Sequence, residues 1–427
     1  VNIIKVISWT PTSHRPNIFK LEGELLNDQP VEGRSWTWLL ALFTFSSFIE
    51  TIFFGQIGAF TPLYLPNLGV PADRVAFWTG VIAAVSGILG LPFLPFWGAL
   101  ADRYSRKPII VRSFLVHLVA GVTLILAGNV YVFLVGRAIT SLALGNSGLM
   151  MATLAERSPS NRQGLSFSIM NSAAPIGAFL GPLIGGPILD RWGFRTLIAV
   201  DAGLMLVVIL SLVLGYRDYF KGSKERPILK MALESVHILV KQRRLQALFP
   251  ALFVLFAARM LAQTYIPLVV GDLYSGQNLG TTVGFVVGAG GLAALIFSPI
   301  LGAMADRYGY WRLLFISTII TIFLWPLPAF INSLLVFGIV WALINGVGTG
   351  TFAISFNVLA QSVADDVRGR VMAFSYLPVN VGLIVGPAVG SLITDYNLEA
   401  IFPAAAIFTI LGVVLLAVAA KQPVGEK

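Results

Sequence analysis

The chain has no cysteine among its 427 residues, which excludes disulfides, thiol catalysis and cysteine-based metal sites. Histidine is nearly as scarce: His14, His117 and His237 stand far apart, with no metal-ligand spacing. Charge is scarce too. Only 11% of residues are Asp, Glu, Lys or Arg against 56% hydrophobic, which excludes a set of soluble domains of ordinary composition. Short alternating segments of the β-barrel kind are lacking. Residues 1–35 lack the basic start, apolar core and small-residue cleavage site of a secretory signal, and read as a cytoplasmic tail.

What fills the chain instead is about twelve apolar runs of about 20 residues or more, each long enough to cross about 30 Å of hydrocarbon as a helix. They fall at about 36–65, 76–101, 108–128, 130–154, 164–189 and 195–215, then at about 245–271, 280–305, 311–330, 333–361, 370–394 and 398–420. After the second run comes the charged loop Gly98, Asp102, Arg103, Arg106 and Lys107, which recurs as Gly302, Asp306 and Arg307 after the second run of the other half. A repeat at about half the chain length predicts two copies of one bundle. The expected fold is an all-α membrane protein of twelve transmembrane helices in two pseudo-symmetric six-helix bundles, residues 36–215 and 245–420. A basic linker at 216–244 joins them, and 421–427 form a second tail. After Pro227 the linker sets Leu229, Ala232, Leu233, Val236 and Val240 opposite Lys230, Glu234, Lys241 and Arg244, the pattern of an amphipathic helix on the inner membrane surface.

A net charge of +9 raises the question of nucleic acid, and the location of the charges answers it. Of 29 Lys and Arg residues, three (Arg74, Arg191, Arg195) fall in loops on one side and two (Arg137, Arg259) inside helices, leaving 24 for the other side. The excess marks that side, which holds both termini, as cytoplasmic. A basic surface for nucleic acid is the weaker explanation.

Three charges lie within the spans. With hydrocarbon starting near Leu39, a rise of 1.5 Å per residue sets Glu50 about 17 Å, Arg137 about 18 Å and Arg259 about 21 Å above the inner boundary. Charge at that depth costs about 2.5 to 3.5 kcal/mol on insertion scales, so these groups should face a cavity or one another. A site open alternately to either side must occupy this layer. Ser46 and Ser47 share the face of Glu50, with Phe54 one turn on; Ser141, Gly145 and Gly148 follow Arg137; Gln263 follows Arg259. The tenth run offers Trp341, Asn345, Thr349, Phe352 and Phe356 at similar spacing. A cavity with an acid, cations and aromatic walls suits an amphiphilic or aromatic substrate. Glu50 either gains and loses a proton, with Arg137 as its partner, or forms a static ion pair with it that fixes packing. Arg259 binds substrate or is structural. His117 reads as a packed residue, and the tenth run's aromatic stripe taken alone as core.

Over residues 36–420 the chain resembles the major facilitator superfamily. Asp102, Arg103, Arg106 and Lys107 after Gly98 match that family's loop between its second and third helices, with Ser105 where glycine is usual. The resemblance implies a cytoplasmic latch in which the acid meets nearby basic groups and the N-terminus of the eleventh helix. The second copy keeps Asp306 and Arg307 but has Tyr310 and Trp311 for the basic pair, which implies a weaker latch. Gly177, Gly181, Pro182, Gly185 and Gly186 resemble the fifth-helix signature of antiporters. Arg137 with Gly145 is similar to the fourth-helix signature associated with proton transfer, with Thr140 and Ser141 in place of its usual Gln-Gly. An acid placed as Glu50 is placed resembles the drug:proton antiporters.

The resulting expectation is a secondary active transporter that works by alternating access, exporting a small amphiphilic or hydrophobic compound against protons. It is not an enzyme, because no nucleophile, metal cluster or carboxylate pair stands at membrane depth. A lipid or lysolipid flippase and an importer or facilitator of a small polar metabolite are the alternatives. No cofactor is expected, the proton gradient being the energy source. The expected partners are a small-molecule substrate, protons and the lipid bilayer, with no nucleic acid. The expected state is a monomer in the cell (inner) membrane.

Overall fold

The computed structural model describes residues 36–90, 105–143, 146–218, 242–363, 371 and 375–422. Ten helices among them are long and apolar enough to cross a membrane, and the chain is a multi-pass membrane protein. Helices satisfy every backbone N–H and C=O inside the segment, which hydrocarbon demands. In chain order the helices are α1 (Trp36–Tyr64), α2 (Val75–Ile88), α3 (Arg106–Leu126), α4 (Val130–Thr140), α5 (Asn146–Arg157) and α6 (Gln163–Gly215). Then come α7 (Arg243–Gln263), α8 (Ile266–Leu273), α9 (Leu279–Tyr308), α10 (Tyr310–Leu324), α11 (Leu334–Gln361), α12 (Leu377–Thr394) and α13 (Ile401–Lys421). The amphipathic helix expected in the linker lies outside the described residues, as does the tail 1–35.

The structure departs from the simple series of runs in three places, each with a local cause. The 53 residues of α6 form two spans, because Gly193 turns the chain at φ 81° and ψ 169°, a conformation costly for any other residue. The run at 130–154 is not one helix: α4 ends at Thr140, a single 3₁₀ turn spans Ser141–Ala143, and α5 starts at Asn146. Thr140 Oγ1 donates to the Arg137 carbonyl at 2.6 Å and Ser141 Oγ to that of Ala138 at 2.7 Å. Hydroxyls bonded in this way compete with the helical ladder and bend it. The run at 245–271 breaks at Thr264 and Tyr265, since Pro267 in the first turn of α8 has no N–H to continue the ladder.

The helix pairings repeat along the chain. α1 lies against the first part of α6 as α7 lies against α12; α2 lies against α4 as α9 lies against α11; α3 lies against α6 beyond Gly193 as α10 lies against α13. Between the halves of the chain, α6 meets α9 and α12 meets α2. Without a hydrophobic drive between helices in lipid, close backbone approach over small residues supplies the contact. The stripe Gly177, Gly181 and Gly185 serves α1: a Cβ on Gly181 would stand 3.1 Å from the backbone of Ile52. Gly186, one residue off that stripe, serves α9, where a Cβ would stand 2.5 Å from the Gly280 carbonyl oxygen. One glycine-rich helix thus packs tightly on two partners.

Candidate functional site

Glu50 is buried on α1, and both its carboxylate oxygens accept from Asn146 Nδ2, at 2.9 and 2.8 Å. His117 Nδ1 on α3 stands 3.8 Å from Glu50 Oε1, with the imidazole wholly enclosed. The edges and faces of Phe53, Phe54 and Phe114 surround that ring, with centroids 5.6, 5.0 and 6.3 Å away. Among the described residues neither ring nitrogen has a hydrogen-bond partner. Three helices therefore bring one acid, one amide and one imidazole together.

The expected pairing of Glu50 with Arg137 is not what the geometry shows. Among the described residues no ion pair joins them. Arg137 is buried on α4, and among the described residues its Nε and Nη1 have no hydrogen-bond partner. Asn146 holds the carboxylate instead, presented from the start of α5 just past the helix break. Ser46 and Ser141 are also buried, and each hydroxyl donates to its own helix, to Leu42 and Ala138 respectively. Ser47 is partly buried and Phe54 is exposed, apart from its contact with His117.

In the other half, Arg259 Nε donates to Gln263 Oε1 at 3.3 Å and Nη2 to Asn345 Oδ1 at 3.2 Å. Asn345 Nδ2 in turn donates to the Trp341 carbonyl at 3.2 Å. Arg259, Asn345 and Trp341 line a cavity of about 60 Å³ shared with Phe256, Phe352 and several hydroxyls. Phe256, Phe352, Phe356 and Tyr376 then form a chain of ring contacts with centroids 5.2, 4.7 and 5.0 Å apart. The sequence expectation for Arg259, Gln263, Trp341, Asn345, Phe352 and Phe356 thus falls on one connected surface.

Sequence reasoning missed Asn146, whose signal was an amide inside a run of small apolar residues. It also missed Asp201 on α6, which is buried with Oδ2 lacking a hydrogen-bond partner among the described residues. His117 was expected as a packed residue; it is packed, and it also faces Glu50.

The model of the family described as Major Facilitator Superfamily matches residues 40–280 and 248–427. The chain belongs to that superfamily. It is accordingly a transporter and not an enzyme. Over 402 residues it is 26% identical to "Multidrug resistance protein MdtG" of Klebsiella pneumoniae (strain 342), covering 93% of this chain and 97% of that one. It is 27% identical over 375 residues to "Multi-drug resistance efflux pump PmrA" of Streptococcus pneumoniae serotype 4, covering 86% and 92%. Among solved structures, the nucleoside transporter NupG matches with a TM-score of 0.75 at 14% identity, over 90% of this chain and 100% of that one. A bacterial homolog to the human lysosomal transporter Spinster, inward-facing and unoccupied, matches with a TM-score of 0.73 at 14% identity, over 90% and 97%. At those identities the structural likeness speaks of the fold alone.

At the face that the Lys and Arg count assigns to the outside, several contacts join the two halves of this Major Facilitator chain. Asp190 Oδ1 accepts from the Gly280 N–H at 2.7 Å, and Oδ2 from the Thr281 N–H at 2.7 Å and its hydroxyl at 2.6 Å. A carboxylate at a helix N-terminus satisfies free donors and meets the positive end of the dipole. Tyr265 donates its hydroxyl to the Pro387 carbonyl at 2.9 Å, and Gly80 of α2 is pressed against this pair and Ser391. Arg74 and Asp395 approach to 3.6 Å at the rim, where both are partly exposed and the pair adds little.

Of the expected latch residues, Gly98, Asp102 and Arg103 lie outside the described residues. Arg106 makes a two-pronged pair with Glu156 at 2.8 and 2.6 Å, and Lys107 Nζ donates to the Val213 carbonyl at 2.7 Å. Asp218 Oδ2 caps α3 by accepting from Ser105 Oγ and the N–H groups of Arg106 and Lys107 at 2.7, 2.6 and 3.1 Å. These bonds join residues 105–213 to one another and to Asp218, just beyond α6. In the second copy, Asp306 accepts from the Tyr310 hydroxyl and Arg307 stacks over the Tyr308 ring. Tyr310, which replaces a basic residue of the first copy, therefore occupies the acid.

Proposed function

We propose that the chain is a proton-coupled antiporter of twelve helices in two six-helix bundles, exporting a small amphiphilic compound. It lies in the cell membrane with both termini in the cytoplasm and acts as a monomer without a cofactor. The observation that carries this reading is the Glu50 cluster, an acid buried at mid-membrane and engaged by neutral groups instead of a cation. Export as the direction is supported by the relatives named for multidrug resistance and efflux.

An ionised Glu50 accepts both Asn146 bonds. A protonated Glu50 must place its O–H on an acceptor, and the imidazole nitrogen at 3.8 Å lies within a small side-chain movement of that role. The two protonation states thus favour two arrangements of α1, α3 and α5. When the outer face opens, a proton enters and substrate leaves; when it closes, the proton leaves toward the cytoplasm and substrate enters. The Asp190 cap and the glycine contacts between α6 and α9 hold the outer face shut, while a latch built on Gly98, Asp102 and Arg103 holds the inner face in the opposite state. The test is transport by reconstituted protein under an imposed pH gradient. Movement of an amphiphilic dye that follows the gradient and collapses with a protonophore supports antiport, and movement indifferent to the gradient refutes it.

A further inference from the structure

The central layer holds an imbalance of charge that says which substrates it accepts. Arg259 spends its hydrogen bonds on two neutral amide oxygens, and among the described residues no carboxylate pairs with it. Its cavity is lined by no Asp or Glu. Arg137 shows the same lack in the first half, with two guanidinium nitrogens unpartnered. The layer's acid, Glu50, is already held by Asn146. A buried guanidinium without a counter-charge is costly, and in membranes such groups mark ligand or ion sites.

We infer that the transported compound carries an anionic group, such as a carboxylate or phosphonate, which docks on Arg259. This rests on the transporter reading above and gives its substrate class. The size of the cavity decides how much of the compound enters. About 60 Å³ holds a few waters or one small anionic group and falls far short of the roughly 300 to 1,000 Å³ of pockets that enclose a whole drug-sized ligand. The apolar remainder lies along Phe256, Phe352 and Phe356, whose ring contacts lead away from the guanidinium. Trp341 walls the same cavity, and among the described residues its indole N–H has no partner. A lipophilic cation would meet Arg259 with no carboxylate in the cavity wall to offset it.

The test uses purified full-length protein in nanodiscs of zwitterionic lipid and two dansyl amphiphiles, 11-(dansylamino)undecanoate as the anion and dansylcadaverine as the cation. Binding is read by dansyl fluorescence with no gradient present, so a failure of proton coupling does not affect the result. The anion binds tighter than the cation, and Arg259→Gln weakens anion binding about tenfold or more, whereas Arg259→Lys, which keeps the charge, retains most of it. Adding phosphatidylglycerol to the nanodiscs separates the sources: competition means that an anionic lipid head group reaches the site, and its absence means a free amphiphile. The inference is overturned by equal or tighter binding of the cation, by no binding of the anion, or by anion binding unchanged in a folded Arg259→Gln protein.

Discussion

Glu50 on α1 and Asn146 on α5 meet in the first half of the chain, one amide nitrogen donating to both carboxylate oxygens at 2.9 and 2.8 Å. Asn146 stands nine positions after Arg137, which on a helix of 3.6 residues per turn sets the two on opposite faces, about half a turn apart. Asn146→Leu removes both donors while keeping a similar volume, and leaves the acid short of partners at a cost of about 1 to 3 kcal/mol. The donated bonds serve the ionised carboxylate, so the loss is full at alkaline pH and fades as acid protonates Glu50. Thermal unfolding in detergent at the two extremes checks this; an unchanged midpoint at alkaline pH contradicts it.

The two glycine faces of α6 separate stability from motion. Gly181 touches α1 within its own half, so Gly181→Val should lower thermal stability by about 1 to 3 kcal/mol through overpacking. Gly186 touches only the backbone of α9, across the halves. Gly186→Val should leave stability nearly intact and hold the outer face open. Because the chain lacks cysteine, Ser391→Cys gives a reporter without background at a buried position beneath Gly80. External thiol reagents should label it several-fold faster in the Gly186→Val protein. Equal labelling in both backgrounds would refute the assignment of Gly186 to closure.

Asp190 should act in the same direction through chemistry instead of bulk. Asp190→Asn weakens the cap on α9, and such caps contribute about 0.5 to 2 kcal/mol. The Ser391→Cys reporter should label faster here as well, by a smaller factor than in Gly186→Val. Slower labelling would mean that the carboxylate holds the outer face open.

Much of the fold was legible because hydrocarbon imposes a length and an apolar composition on every span, and because a charged loop recurs at half the chain. The burial of Glu50 was legible as well, because a charge inside an apolar run must turn away from lipid. Its partner was not. The choice of Arg137 rested on a depth that matches that of Glu50, and depth alone does not say which way a side chain faces on its helix. Likewise, the spacing of Gly177, Gly181 and Gly185 read as one tight interface, while the second face at Gly186 needed the position of α9. Gln263 came from helical spacing, four residues after Arg259 on one face, whereas the bond from Arg259 to Asn345 on another helix needed the structure.

The central claim is that Glu50 carries the exchanged proton, and Glu50→Gln in proteoliposomes tests it most directly. Gln keeps the size and an acceptor for Asn146 but cannot titrate. Two rates are measured with the same anionic dansyl probe: uptake into inverted vesicles driven by an imposed pH gradient, and exchange of labelled for unlabelled probe without a gradient. The account predicts that the variant loses gradient-driven accumulation and keeps exchange. Accumulation by the variant at the rate of the unaltered protein would contradict it.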